Sequence, residues 1–149
     1  MYNYILVPLD GSKRAEAILS HVEELAKRYD TQVILLRVIE LATICAGPEH
    51  YSAQLQQDEV ERLTEEAVAY LTELQERLLA KDMEARTCVG YGPVVQAIIN
   101  TAERESADLI AMASHGRSGL SQVFYGSVAA GVLHRADRPL LLVRSRDSG

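Results

Sequence analysis

Apolar positions follow two rhythms along the chain. Tyr4-Ile-Leu-Val-Pro-Leu9, Val33-Ile-Leu-Leu-Arg-Val38, Leu109 to Ala113 and Leu140 to Val143 are short, nearly continuous apolar runs. Such runs predict parallel strands buried on both faces. Pro8, near the end of the first run, predicts that its ladder stops there. Elsewhere apolar residues recur at three and four. Ala15, Ile18, Leu19, Val22, Leu25 and Ala26 predict a helix ending near Tyr29-Asp30. Val60, Leu63, Ala67, Leu71, Leu74 and Leu78 mark one face of a long helix from about Ser52 to Lys81. Val94, Val95, Ile98, Ile99 and Ala102 give a third helix, with Pro93 at its first position. Val128, Ala129, Val132 and Leu133 give a fourth, running to about Arg135. Met83 to Val89 alternates, as a half-exposed edge strand does. The order β-α-β-α-β-α-β-α-β predicts an α/β fold with a parallel sheet between two helical layers.

In such sheets ligands sit beyond the carboxyl ends of the strands, where strand order reverses. The loops expected there are Pro8–Ser12, Val38–Glu40, Gly90–Pro93 and Ala113–Ser127, and three of these carry glycine. The last is the most informative. The apolar run 109–113 passes into a glycine-bearing loop, and Gly126-Ser127 opens a helical pattern. Glycines let the backbone approach an anion, and the first helical N–H groups have no partner of their own. This stretch is expected to hold the phosphates of a nucleotide. Asp10-Gly11-Ser12 reads as a turn, with Ser12 capping the next helix. Ile39 to Tyr51 reads as irregular and Arg144 to Gly149 as a frayed tail.

Composition narrows the classes. The 149 residues suit one domain, 1–149. A formal charge of −6 argues against a broad nucleic-acid face. No apolar run approaches the roughly 20 residues that span a bilayer, and the N-terminus reads into a strand, not a signal peptide. No membrane partner is therefore expected. Cys45 and Cys88 show no metal spacing and read as free thiols in a reducing cytoplasm. Asp58, Glu59, Glu61, Glu65, Glu66, Glu73 and Glu76 read as the solvated face of the long helix.

Several chemistries fail on spacing. Gly90-x-Gly92 lacks the third glycine of a dinucleotide fingerprint, since Val95 stands there. No GxxxxGK[ST] occurs, and Gly116-Arg-Ser118-Gly119 is not a nucleophile elbow. His21, His50, His115 and His134 have no ligand spacing, so no metal site is expected. A phosphorylated receiver would close its third strand with Asp and its fifth with Lys. Here Val89-Gly90 and Arg144 stand there.

Ala113-Ser-His-Gly116, nine residues, then Gly126-Ser127 resembles the Gly-x2-Gly-x9-Gly-Ser/Thr signature of the ATP-binding branch of the universal stress protein family. Ile5-Leu-Val-Pro-Leu-Asp-Gly-Ser12, Leu36-Arg-Val38, Ala107-Asp-Leu-Ile110 and Pro139-Leu-Leu-Leu-Val143 are similar to other family marks, so the likeness covers essentially the whole length. It implies a Rossmann-like sheet of order 3-2-1-4-5 and a homodimer paired through the fifth strands, Leu140 to Arg144. It also implies a cytoplasmic stress-response sensor or regulator that binds ATP or AMP, with Mg as an accompanying ion left open. Asp10 would contact ribose or the adenine edge, and the Val38 backbone would bond adenine. Pro8 and Leu9 would line the base pocket, with Met112 beside it. Gly116, Arg117, Gly126, Ser127 and Val128 would wrap the phosphates, with His115 and Arg117 the nearest basic side chains. Ala113 replaces the first glycine of the signature. A β-like backbone there makes the change nearly harmless, whereas a left-handed one weakens binding. No catalytic residue is identified, because no carboxylate in the phosphate loop stands ready to orient water. A slow ATPase and an interaction protein without nucleotide are the alternative readings.

Overall fold

The computed structural model describes residues 2–40, 53–114 and 126–144. β1 (Tyr4–Leu9) leads through a 3-10 turn (Ala15–Ile18) into α1 (Leu19–Tyr29). There follow β2 (Gln32–Ile39), α2 (Ala53–Leu79), β3 (Ala85–Tyr91) and α3 (Val94–Arg104). β4 (Leu109–Ala113), α4 (Ser127–Arg135) and β5 (Leu140–Val143) complete the order. The five strands form one parallel sheet, β3-β2-β1-β4-β5, the order the family likeness implies.

Continuous apolar runs are needed because successive side chains enter opposite layers. Ile5, Val7, Leu9, Val33 and Leu35 face the 3-10 turn, α1 and α2, where Ile18, Val22, Leu71 and Leu78 meet them. Leu6, Ile34, Leu36, Val38, Ile110 and Met112 face α3 and α4, where Ile98, Ala129 and Val132 meet them. Each fully buried Ile, Leu or Val contributes roughly 1.5–3 kcal/mol of transfer free energy.

Four local expectations are corrected. The β1 ladder does not stop at Pro8: its register with β2 runs through Pro8↔Leu36 to Leu9↔Arg37. β3 starts two residues later than the alternation suggested and includes Gly90 and Tyr91. A Cβ on Gly90 would lie 3.6 Å from the Ala97 Cβ, an ordinary contact, so neither space nor backbone conformation demands glycine at this strand position. The turn itself falls at Gly92, with φ +109. Pro93 is the residue before α3, with ψ 133, and its carbonyl accepts the Ala97 N–H at 3.0 Å. Ile39 belongs to β2. The remainder of the expected irregular stretch, with Cys45, and residues 145–149 of the expected tail lie outside the described residues.

β1 lies between β2 and β4, so strand order reverses there. The reversal leaves a crevice at the carboxyl ends of β1, β2 and β4, and the N-terminus of α4 enters it.

Candidate functional site

The crevice is a cleft of about 1400 Å³. A drug-sized ligand site is typically about 300–1,000 Å³, so one nucleotide fits with room to spare. Pro8, Leu9, Asp10, Val38, Met112, Ala113, Gly126, Ser127 and Val128 all line it. His115, Gly116 and Arg117 lie outside the described residues.

The β1 end is a turn built from its own side chains. Asp10 Oδ1 accepts the Ser12 N–H at 2.9 Å, and Ser12 Oγ accepts the Ala15 N–H at 3.1 Å. Ser12 thus caps the turn that feeds α1. Asp10 is a turn former whose exposed carboxylate also lines the cleft.

Ala113 is the last residue of β4, in register with Val143. Its backbone is extended and it is not among the positive-φ residues, so alanine carries no left-handed strain there. Ser114 follows, and its N–H donates to the Val143 carbonyl at 2.8 Å. The Ser114 hydroxyl is buried with no hydrogen-bond partner among the described residues. Gly126 faces this segment. A Cβ added to Gly126 would lie 3.1 Å from the Ser114 carbonyl oxygen, and its φ is +20. The positive φ strains any side chain placed there, and the Ser114 carbonyl would have to give by a few tenths of an ångström as well. The Gly126 carbonyl accepts the Ala130 N–H at 3.0 Å and so opens α4. Ser127 is the first helical residue, not the cap, and no side chain among the described residues caps the helix. Its hydroxyl and the first N–H groups of α4 stand at the cleft, where the helix dipole favours an anion.

The two walls differ. On the α3/α4 side Leu36, Val38, Val94, Ile98 and Met112 offer an apolar surface. On the α1/α2 side the wall is charged. Asp10, Glu40, Asp58, Glu59 and Glu66 stand against Arg37 and Arg62. Arg62 is clamped by Glu59 at 2.5 Å and Glu66 at 2.6 Å. The hydrogen bond from Arg62 holds the Glu59 carboxyl below the usual carboxylate range, and the same bond holds the guanidinium proton more tightly. Tyr70 donates its hydroxyl to Glu16 at 2.9 Å. Burial first, then that bond and the Glu16 charge, push the phenol well above its ordinary range.

The α2 wall was not legible as part of the site. Asp58, Glu59 and Glu66 read as a solvated helix face, and Arg37 as a strand residue. The apolar face read from Val60 to Leu78 gave no signal of this, whereas in the structure the buried residues of α2, Ala67, Leu71, Leu74 and Leu78, all fall in its second half. A helix longer than its buried face must overhang something.

The universal stress protein family model matches residues 1–144. The universal stress protein MJ0577 of Methanocaldococcus jannaschii is 30% identical over 159 aligned residues, covering 99% of this chain and 98% of its own. The solved structure of MJ0577 superposes with a TM-score of 0.86 over 100% of this chain and 99% of its own. Two more distant folds are solved with nucleotide. A universal stress protein in complex with cAMP is 20% identical, with a TM-score of 0.69 over 97% of this chain and 98% of its own. An Arabidopsis thaliana family protein with AMP bound is 15% identical, with a TM-score of 0.69 over 98% of this chain and 93% of its own.

Proposed function

This chain belongs to the universal stress protein family, and from that premise we propose that it binds an adenine nucleotide, ATP or AMP, in the cleft at the carboxyl ends of β1, β2 and β4. One observation carries the reading. The N-terminus of α4, opened by a glycine that no other residue can replace without strain, meets an apolar wall and the end of β2 across a single cleft. Phosphate on the α4 N–H groups places the sugar near Asp10 and the base against Val38, Met112 and the apolar wall. A magnesium ion would arrive with ATP, since this ion is usually held through substrate phosphates and water. The cAMP and AMP complexes of distant relatives support an adenine ligand. In this reading the protein is a cytoplasmic homodimer paired through β5 that reports nucleotide occupancy in a stress response.

The test uses the purified protein as isolated. Denaturation followed by chromatography and mass measurement of the supernatant should release ATP or AMP. Protein that emerges empty should bind added nucleotide in calorimetry. Gly126→Val should abolish that binding while circular dichroism keeps the wild-type spectrum. An empty wild-type protein that takes up neither nucleotide ends the reading.

A further inference from the structure

Building on the nucleotide reading above, we propose that Arg37 sets purine selectivity in the cleft by occupying the carbonyl that the base must use. β2 outruns β1. Its pairing with β1 ends at Leu9↔Arg37, while its pairing with β3 continues through Val38↔Gly90 and Ile39↔Tyr91. The Ile39 carbonyl accepts the Gly92 N–H at 3.1 Å and therefore faces β3. Successive carbonyls of a parallel strand point to opposite neighbours, so the Val38 carbonyl faces the side where β1 has ended. That side is the cleft, which Val38, Leu9 and Gly11 line.

A bare carbonyl there would be an acceptor for the 6-amino group of adenine. It is not bare. The Arg37 Nη1 donates to it at 2.9 Å. The guanidinium also runs beside the β1–α1 turn, with its Nε 3.8 Å from where a Cβ on Gly11 would stand. A guanidinium has five N–H donors and no acceptor. A base approaching this point meets donors beside a carbonyl that already holds one bond. Adenine presents a donor at C6 and hypoxanthine presents a carbonyl oxygen. Arg37 thus penalises the 6-amino purine, which must share or displace it, and offers a donor to the 6-oxo purine.

The experiment compares ATP with ITP, and AMP with IMP, by calorimetry on the wild type, Arg37→Met and Arg37→Lys. The wild type should discriminate the bases by no more than about tenfold. Arg37→Met should tighten ATP and weaken ITP by roughly fivefold each, about the worth of one net hydrogen bond. The AMP/IMP ratio should shift equally, which places the effect on the base. Arg37→Lys keeps the charge, loses the planar fork and should shift the ratios in the same direction. Equal weakening of both triphosphates would assign Arg37 to the phosphates and overturn the inference, as would unchanged ratios in both variants. A wild type that binds ATP with unchanged ratios in the variants removes this inference alone. A wild type that binds none of the four removes the nucleotide reading and this inference together.

Discussion

At Gly131 a single methyl group decides whether two helices can touch. A Cβ added there would stand 2.6 Å from the Val95 Cγ2, inside any tolerable contact. Gly131→Ala in α4 should therefore cost about 1–3 kcal/mol through overpacking, even though alanine is the better helix former. Urea unfolding would read the loss, and Val95→Ala on the same chain should restore part of it. Tyr70 offers a pH-dependent counterpart. Burial and Glu16 raise its phenol pKa in the folded protein. A raised folded value means stability is fully present below the ordinary tyrosine range, near pH 10, and falls as pH rises above it. The melting temperature should decline above that pH in the wild type and decline less in Tyr70→Phe. At this scale the sequence was most legible where one residue type has one physical use. Gly126 was marked by its place between a loop and a helical pattern, and the Ser114 contact supplies the reason. Gly90 misled because glycine after an alternating run reads as a turn, whereas here it continues β3 and the turn falls at Gly92.

Between elements, a few polar side chains join segments distant in sequence. Asp108, just before β4, accepts the N–H groups of Asn3 at 2.6 Å and Tyr4 at 2.9 Å. Arg138, just before β5, donates from Nη1 to the carbonyls of Ala102 and Ala107, each at 2.9 Å. These carbonyls lie at the end of α3 and the approach to β4, so one guanidinium ties three segments. Arg138→Met should lower stability by about 1.5–3 kcal/mol, the range for bonds to a charged donor. Thermal unfolding would show it, and a shift below experimental error would mean water replaces the guanidinium. Neither role could be read in advance, because Asp and Arg next to strands are equally common as solvated charges. The strands themselves were legible: the limits of β4 and β5 coincide with their apolar runs, since burial on both faces leaves no polar position inside them. Helix ends were less sharp, as at Pro93, where one residue separates cap from first turn.

Across the whole molecule, the sheet presents two edges. β3 carries exposed Arg86 and Thr87, whereas β5 is the apolar run Leu140–Val143, half-buried against both layers. An apolar edge of this kind invites a second copy. The carbonyls of Pro139 and Val143 accept the N–H groups of Ile110 and Ser114, so residues 139, 141 and 143 turn to β4 and Leu142 turns its N–H outward. Leu142→Pro removes that edge N–H and should turn a dimer into a monomer in sedimentation while nucleotide binding persists. Sedimentation of the wild type as a monomer would dismiss the β5 pairing.

The overhang of α2 has a consequence in time. At about 1.5 Å per residue, the 27 residues of α2 span roughly 40 Å, yet the buried side chains begin at Ala67. Among the described residues, the about four turns before Ala67 therefore hold together mainly by their own ladder, and amide exchange should be graded along one continuous helix. Amides before Glu66 should exchange within the dead time of a slow experiment, while those around Leu71 to Leu78 should exchange only on global opening. A ligand that fills the cleft beneath would slow the first group and leave the second unchanged. The helix would then act as a clock whose fast hand is stopped by occupancy.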